Sequence, residues 1–261
     1  PIIIENVIDN RIFGTLLHKA IEDLYKDFVG KTISAKQFNE LPISIVKERV
    51  KKVAATIEEF NIHSGYNKLL QEIVAEYLSQ IIEIDKLNAP IQIIALEKEV
   101  ESSFQIYEGE QTKQIRLRGN IDRIDIAGDK TRILDYKTGN PDINIADDLS
   151  NLFDNTRAKR NKEALQTFIY AMLYSSLPDA ATPEDIKMGL IISRKIIDNN
   201  FSFFHPNGRP SSYIHLSDII KPFKENLKTV LENMFNEVNC FEQTENASTC
   251  TYCSYKQICQ R

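Results

Sequence analysis

The chain has no apolar run approaching the ~20 residues that a membrane-spanning helix needs, so no membrane partner is expected. It has no charged start followed by an apolar stretch and an A-x-A cleavage site, so no secretory signal is recognised. No G-x-x-x-x-G-K-[ST] loop is present, which excludes a phosphate-cradling motor of that type within this sequence. No internal repeat or low-complexity segment is evident. An excess of positive charge is also lacking: the formal net charge is −5, so a general electrostatic grip on a polyanion is excluded and any anion-binding surface must be local. Cysteine is scarce and confined to one end, as Cys240, Cys250, Cys253 and Cys259. Clustered thiols without a secretory context point to a reducing, cytoplasmic compartment.

What is present can bury a substantial core: 261 residues with 42% hydrophobic content, read as one domain over residues 1–261. Residues 1–90 carry helical patterns broken at Asn39 to Pro42 and at Ser64 to Gly65. Residues 91–238 form the sheet core, with strand-like runs at about 91–107, 113–126 and 131–137. An irregular stretch from Gly139 to Asn161 follows, with Pro141, Asp147, Asp148 and Asn151 as its loop signals. A helix around Gln166, the strand KMGLIIS, a second strand around Asn200 to Phe204 and a helix from about Ser217 to Val238 complete the core. Residues 239–261 are a cysteine-containing tail.

The chemistry concentrates in GNIDRIDIAGDKTRILDYKTG, residues 119 to 139. Alternation along a strand puts Asp135 and Lys137 on one face, with Leu134 and Tyr136 on the other. If the run ILDYKT pairs antiparallel with IRLRGNIDRIDI through the turn from Ala127 to Lys130, Asp122 sits across from Asp135. Carboxylate oxygens suit Mg²⁺, and a lysine beside such an ion can orient a water or stabilise a phosphorane-like transition state. An exposed hairpin with an ordinary salt bridge is the simpler reading of a lone D-x-K. Against it, Asp135 interrupts an apolar run in which an unpaired carboxylate is costly.

Three further places carry candidate residues. His18 lies in a segment whose Leu17, Ile21, Leu24 and Phe28 recur at helical spacing; imidazole there is a structural residue or a metal ligand that would also admit Mn²⁺. Gln166 and Tyr170 neighbour each other on one helix face, beside an apolar stripe of Leu165, Phe168, Ile169 and Met172. They either face solvent or hold a phosphate or water in a cleft. Arg157, Lys159, Arg160 and Lys162 precede that helix, as a solvated loop or as salt-sensitive contacts to a DNA backbone. Glu97, in the run IQIIALEKEV upstream of the Asp122 strand, is a weaker candidate that reads at least as readily as a solvated strand-edge glutamate, and it is set aside.

The series G-x-x-D-R-x-D followed by D-Y-K-T-G resembles the nuclease motif of the PD-(D/E)XK superfamily, in its RecB/AddB-type branch. Gly14 to Glu22 resembles that branch's G-x-x-x-H helix, Gln166 to Tyr170 its Q-x-x-x-Y helix, and Cys250 to Cys259 its cysteine tail. The resemblance implies an α/β, restriction-endonuclease-like core, a mixed central sheet flanked by helices, with a mainly helical N-terminal part. It implies a Mg²⁺- or Mn²⁺-dependent DNA nuclease, an exonuclease used in DNA repair and recombination, leaving 5′-phosphate and 3′-hydroxyl ends. The metal ligands would be His18, Asp122, Asp135 and the carbonyl of Tyr136, with Gly14 permitting close approach of the sheet. Lys137 would orient the water, with Gln166 and Tyr170 positioning the strand. A helicase subunit, or a helicase domain of a longer protein of which this is the C-terminal part, is the implied partner. In the relatives, three tail thiolates and one upstream cysteine hold a [4Fe–4S] cluster. Here the spacings C-x2-C and C-x5-C suit one metal centre, and three readings stay open: an incomplete cluster site, a site completed by Cys240 for which zinc is equally suitable, or free thiols. A non-catalytic DNA-binding or scaffolding module with the same fold is the alternative function.

Overall fold

The computed structural model describes residues 10–58, 60–153, 160–192, 201–207, 209–235, 243–244, 247–251 and 253–260. The N-terminal part is helical: α1 (Asn10–Tyr25), β1 (Thr32–Ile33), α2 (Ala35–Phe38), α3 (Ile43–Ala54) and α4 (Gly65–Leu87). Three consecutive strands follow, β2 (Ile91–Glu108), β3 (Gln111–Ala127) and β4 (Lys130–Lys137). Next come β5 (Asn144–Ile145), α5 (Ser150–Phe153), α6 (Lys162–Tyr174), β6 (Ile186–Ile192), β7 (Ser202–Phe203), β8 (His205–Pro206) and α7 (Leu216–Phe235). The main sheet runs β1-β2-β3-β4-β6-β7, and β5 pairs with β8 apart from it. Within the main sheet β4 and β6 are parallel and the other neighbours antiparallel. This is the mixed sheet flanked by helices that the sequence predicts. No helix among the described residues is long and apolar enough to cross a membrane.

The connection from β4 to β6 carries α6, because a parallel pair cannot be joined by a tight turn. By contrast β3 and β4 are joined through Gly128 and Asp129 alone, with Gly128 at φ 63°, a conformation that favours glycine. A two-residue turn leaves no freedom in register, and the hairpin's face assignment is thereby fixed. Helix α6 starts at a cap: the Asn161 side-chain oxygen accepts from Ala164 N–H at 3.1 Å. The Asn161 amide also donates to the Asp142 carbonyl at 2.8 Å, tying the irregular stretch to the helix start.

Each sheet face has its own core. Leu16, Leu17, Ala20, Ile21 and Leu24 of α1 pack with α3, α4 and the sheet residues Ile91, Ile93, Leu134 and Tyr136. On the other face Ile124, Ile133, Met188 and Leu190 meet Phe168 and Met172 of α6 and Phe223 and Leu227 of α7. Each such side chain contributes roughly 1.5–3 kcal/mol when fully buried.

The first core is interrupted by charge. Arg123 and Asp125 of β3, Arg132 of β4 and Asp85 of α4 are all buried. Arg123 forks onto Asp85 at 2.7 and 2.9 Å and reaches Asp125 at 2.6 Å, while Arg132 donates twice to Asp125 at 2.5 and 2.9 Å. Tyr25, at the end of α1, donates to Asp85 at 2.5 Å. The rings of Tyr25 and Phe201 lie 5.0 and 5.9 Å from the Arg123 guanidinium, a cation–π arrangement. Two cations and two anions cancel, and each finds hydrogen bonds, which is the condition for tolerating buried charge.

Removing one member leaves its partners charged and dry. Arg123→Met is expected to lower unfolding stability by about 3–5 kcal/mol, whereas Tyr25→Phe, which deletes one hydrogen bond, costs about 1–3 kcal/mol. Urea titration of both variants checks the ranking; equal effects would mean that the ion network does not hold α4 to the sheet.

Candidate metal centre

The site forms where β3 parts from β4. Their pairing ends at Arg123 opposite Leu134, so the next positions along, Asp122 and Asp135, face each other beyond the last paired residues. On the other side of β3, Leu96 pairs with Arg123 and Lys98 with Ile121, which sets Glu97 opposite Asp122. Three carboxylates, Glu97, Asp122 and Asp135, therefore lie in a row across three adjacent strands. Where the strands separate, the main chain of Tyr136 turns toward the row. Its N–H donates to Asp122 Oδ2 at 2.7 Å, and its carbonyl lies 3.2 Å from His18 Nε2.

Glu97 is the residue that the sequence reading sets aside. It reaches the row through an irregularity in β2, where the register shifts between Ile93 and Ala95 by one residue. Without that bulge Glu97 would lie opposite Ile121, because a one-residue slip moves a side chain to the other face. Glu97 itself has a φ of 45°, in the left-handed region that non-glycine residues adopt at a cost of about 1–3 kcal/mol and that clusters at functional sites. Its Oε2 accepts from the Asn120 amide at 2.5 Å, leaving Oε1 toward His18.

Among the described residues, His18, Glu97 and Asp122 form the one group of three potential ligands gathered within 4.8 Å of one another. His18 Nδ1 is 3.5 Å from Asp122 Oδ2 and 3.8 Å from Glu97 Oε1. In the tautomer that donates from Nε2 to the Tyr136 carbonyl, Nδ1 presents a lone pair to two carboxylates. Electron-rich atoms so arranged repel one another unless a proton or a cation lies among them, and a metal-bound histidine commonly donates its other N–H to a backbone carbonyl. The donor set fits a divalent cation that takes both oxygen and imidazole. The Tyr136 carbonyl, expected as a ligand, is engaged here by the His18 ring.

The electrostatics agree with an under-neutralised site. Burial, reinforced by the neighbouring Asp135 carboxylate, pushes the Asp122 carboxyl up to about 7. Burial also raises Asp135, against the opposing pull of Lys137. Burial alone would lower His18, but Glu97, Asp122 and Asp135 outweigh it and the imidazole is raised.

Lys137 lies next to this row. Its ammonium forms an ion pair with Asp135 Oδ2, which is buried and has no aligned hydrogen-bond donor. It also donates to Gln166 Oε1 at 3.2 Å, and Gln166 Nε2 donates to the Tyr170 hydroxyl at 2.7 Å. The structure thus brings Gln166 and Tyr170 to Lys137, although the sequence alone leaves them free to face a cleft. Tyr170 lies against β3 at Gly119, where a Cβ would come within 2.3 Å of its ring. That contact accounts for the glycine that opens the hairpin motif.

One other expectation comes out differently. A Cβ on Gly14 would meet nothing within 4 Å among the described residues, so this glycine does not serve close approach of the sheet. The thiols of Cys250, Cys253 and Cys259 are half-buried and are not gathered into a ligand group; Cys253 Sγ instead accepts from Tyr255 N–H at 3.4 Å. Cys240, Arg157 and Lys159 lie outside the described residues, and Arg160 is exposed just before α6.

Gly119→Ala is expected to displace the Tyr170 ring, to break its bond to Gln166 and to cost about 1–3 kcal/mol by overpacking. A crystal structure and urea unfolding of the variant check this. Gly139→Ala, which would meet nothing within 4 Å among the described residues, is the control, and an unmoved Tyr170 in the first variant would contradict the contact.

The sequence matches the PD-(D/E)XK nuclease superfamily over residues 5–260. No curated protein matches it. A solved structure described as the crystal structure of SSO0001 is similar at 16% identity, covering 95% of this chain and 96% of its own, with a TM-score of 0.29, too low for the likeness to carry an argument. With the match spanning nearly the whole chain, and a curled mixed sheet flanked by helices consistent with a restriction-endonuclease-like fold, the protein belongs to the PD-(D/E)XK nuclease superfamily.

Proposed function

We propose that this chain hydrolyses phosphodiester bonds in DNA with a divalent cation, Mg²⁺ or Mn²⁺, held by His18, Glu97, Asp122 and Asp135. The observation that carries the reading is the convergence of His18 Nδ1 with the Glu97 and Asp122 carboxylates, and a lysine held beside them. When bound, such an ion polarises a phosphoryl oxygen and lowers the pKa of a water.

The chain's own groups supply the rest. Asp122 is held by the Tyr136 N–H and Glu97 by Asn120, so two carboxylates are oriented before any ligand arrives. His18 is aimed by the Tyr136 carbonyl. Lys137 is fixed between Asp135 and Gln166, and Tyr170 holds Gln166 in turn. Its ammonium orients the attacking water and offsets charge that develops on the phosphoryl oxygens. A pre-positioned cation of this kind needs no reorganisation at the moment of reaction. Burial of Asp135 strengthens its attraction to the ammonium while raising the cost of its own charge.

The finer reading, an exonuclease acting beside a helicase in DNA repair and recombination, is proposed on the RecB/AddB resemblance of the motifs around His18, Asp122, Lys137 and Tyr170. A [4Fe–4S] cluster on Cys250, Cys253 and Cys259 would need the tail to close from the arrangement seen. Arg160 is proposed to contact the DNA backbone together with Arg157 and Lys159.

Lys137→Ala is expected to lower Mg²⁺-dependent cleavage of a labelled oligodeoxynucleotide by about 10²–10⁴-fold, with Mn²⁺ affinity retained in calorimetry. Undiminished cleavage would sink the assignment, and a wild-type chain that binds DNA without cutting it would favour the scaffolding module instead. Asn120→Ala, which releases Glu97, is expected to weaken Mn²⁺ binding by about 10–100-fold; unchanged affinity would remove Glu97 from the ligand set.

A further inference from the structure

The R-x-D part of the D-R-x-D series supplies nothing to the metal centre. Arg123 and Asp125 follow Asp122 along β3, and both side chains are fully buried, where they meet Asp85 of α4 and Arg132 of β4. The contacts of that buried group run back to the centre by two routes, and both pass through Asp85.

One route is the main chain of β3. Arg123 is the covalent neighbour of Asp122, and its guanidinium is held on Asp85 by hydrogen bonds of 2.7 and 2.9 Å. A shift of the strand at Asp122 strains both of them. The other route is α1. Tyr25 donates to the same carboxylate at 2.5 Å, and His18 stands seven residues before it on that helix, two turns and about 10 Å along the axis at 1.5 Å per residue. Two turns return to nearly the same face, and Ile21 and Leu24 between them are buried in one core with Tyr25. The helix thus carries a displacement at Tyr25 to His18.

The loop so formed is closed. Tyr136 gives its N–H to Asp122 and has its carbonyl at His18. Its ring stands edge-on to the imidazole, with centroids 5.7 Å apart at 81°, and packs in the core that holds Tyr25. Apolar packing alone tolerates small sliding, because dispersion contacts are individually weak and non-directional. A carboxylate that accepts three hydrogen bonds is more exacting, since bonds from Tyr25 and Arg123 weaken steeply once bent. Metal ligands must be held within about 0.5 Å of their working geometry, and a directional clamp meets that demand.

We infer that Asp85 is a positioning residue for the metal centre: it supplies no ligand, and through Tyr25 and Arg123 it fixes the separation of His18 from Asp122. The inference rests on the divalent-cation reading above. It adds a residue of α4, a helix that contributes no group to the centre itself.

The test separates position from stability, using the full chain. Tyr25→Phe keeps the ring and every charge and deletes one hydroxyl. Leu227→Ala, in the core on the other sheet face, removes more buried contact and lowers Tm further. Mn²⁺ affinity is measured by calorimetry below the lowest Tm. Tyr25→Phe is expected to weaken it about tenfold and Asp85→Asn about 10–100-fold, the range for outer partners of metal ligands. Leu227→Ala is expected to stay within about twofold of the wild type, as a distant site does. Tyr25→Phe decides the matter where Asp85→Asn fails to fold. If a folded Tyr25→Phe or Asp85→Asn binds Mn²⁺ within about twofold of the wild type, or Leu227→Ala loses as much as they do, the inference is overturned and the metal reading stands. A wild-type chain that binds no Mn²⁺ overturns the metal reading and this inference with it.

Discussion

Neighbouring residues Asp122 and Arg123 point to opposite faces of one strand, and their charges meet opposite fates. On one face Arg123 joins Asp85, Asp125 and Arg132 in a buried network whose charges cancel. On the other, Asp122 joins Glu97 and Asp135 with one lysine and one imidazole nearby, and its carboxyl is pushed up to about 7 by burial and by Asp135. Charge is cancelled at one position and under-neutralised one residue later, and the cation proposed for the second position would restore the balance.

The satisfied face is what makes the unsatisfied one accurate. Tyr25 ends α1 and bonds Asp85, and Asp85 is clasped by Arg123 of β3. The helix that carries His18 is thereby tied, through three hydrogen bonds on Asp85, to the strand that carries Asp122. A buried ionic network contributes little net stability compared with an apolar core, but it has one permitted geometry. Sliding α1 along the sheet would break charged hydrogen bonds as well as apolar contacts, so the distance between His18 and Asp122 is set by partners on the far side of the sheet.

Much of this was legible in the sequence, and the parts that were not share a cause. The β3–β4 hairpin could be read because a two-residue turn fixes register, so strand alternation placed Asp135 and Lys137 correctly on one face and opposite Asp122. Helical spacing placed Gln166 beside Tyr170 and His18 on an amphipathic helix. Glu97 was invisible to the same logic because a bulge changes the phase of β2, and period-two counting assumes that no such slip occurs. The φ of 45° at Glu97 has no signature in the residue type, since glycine or asparagine would be the usual occupant. Asp85 reads as one more polar residue at a helix end, and only the tertiary fold brings it to Arg123. The misreading of Gly14 came from giving a glycine the commoner of its two uses, close approach, when here it leaves space.

Two glycines, two helices and two layers then explain how a site at a sheet end stays both rigid and open. From one layer α1 brings His18; from the other α6 brings Gln166 and Tyr170, which reach Lys137 through successive hydrogen bonds. Gly119 lets α6 settle onto β3, so its side of the centre is closed by a ring. On the α1 side a Cβ at Gly14 would meet nothing within 4 Å among the described residues, and a cleft there adjoins His18 and Glu97. A centre closed on both sides would exclude a polymer, and one open on both would leave Lys137 without its support. The asymmetry follows from the two glycines: the Tyr170 ring of α6 fills the space at Gly119 of β3, whereas Gly14 of α1 borders the cleft.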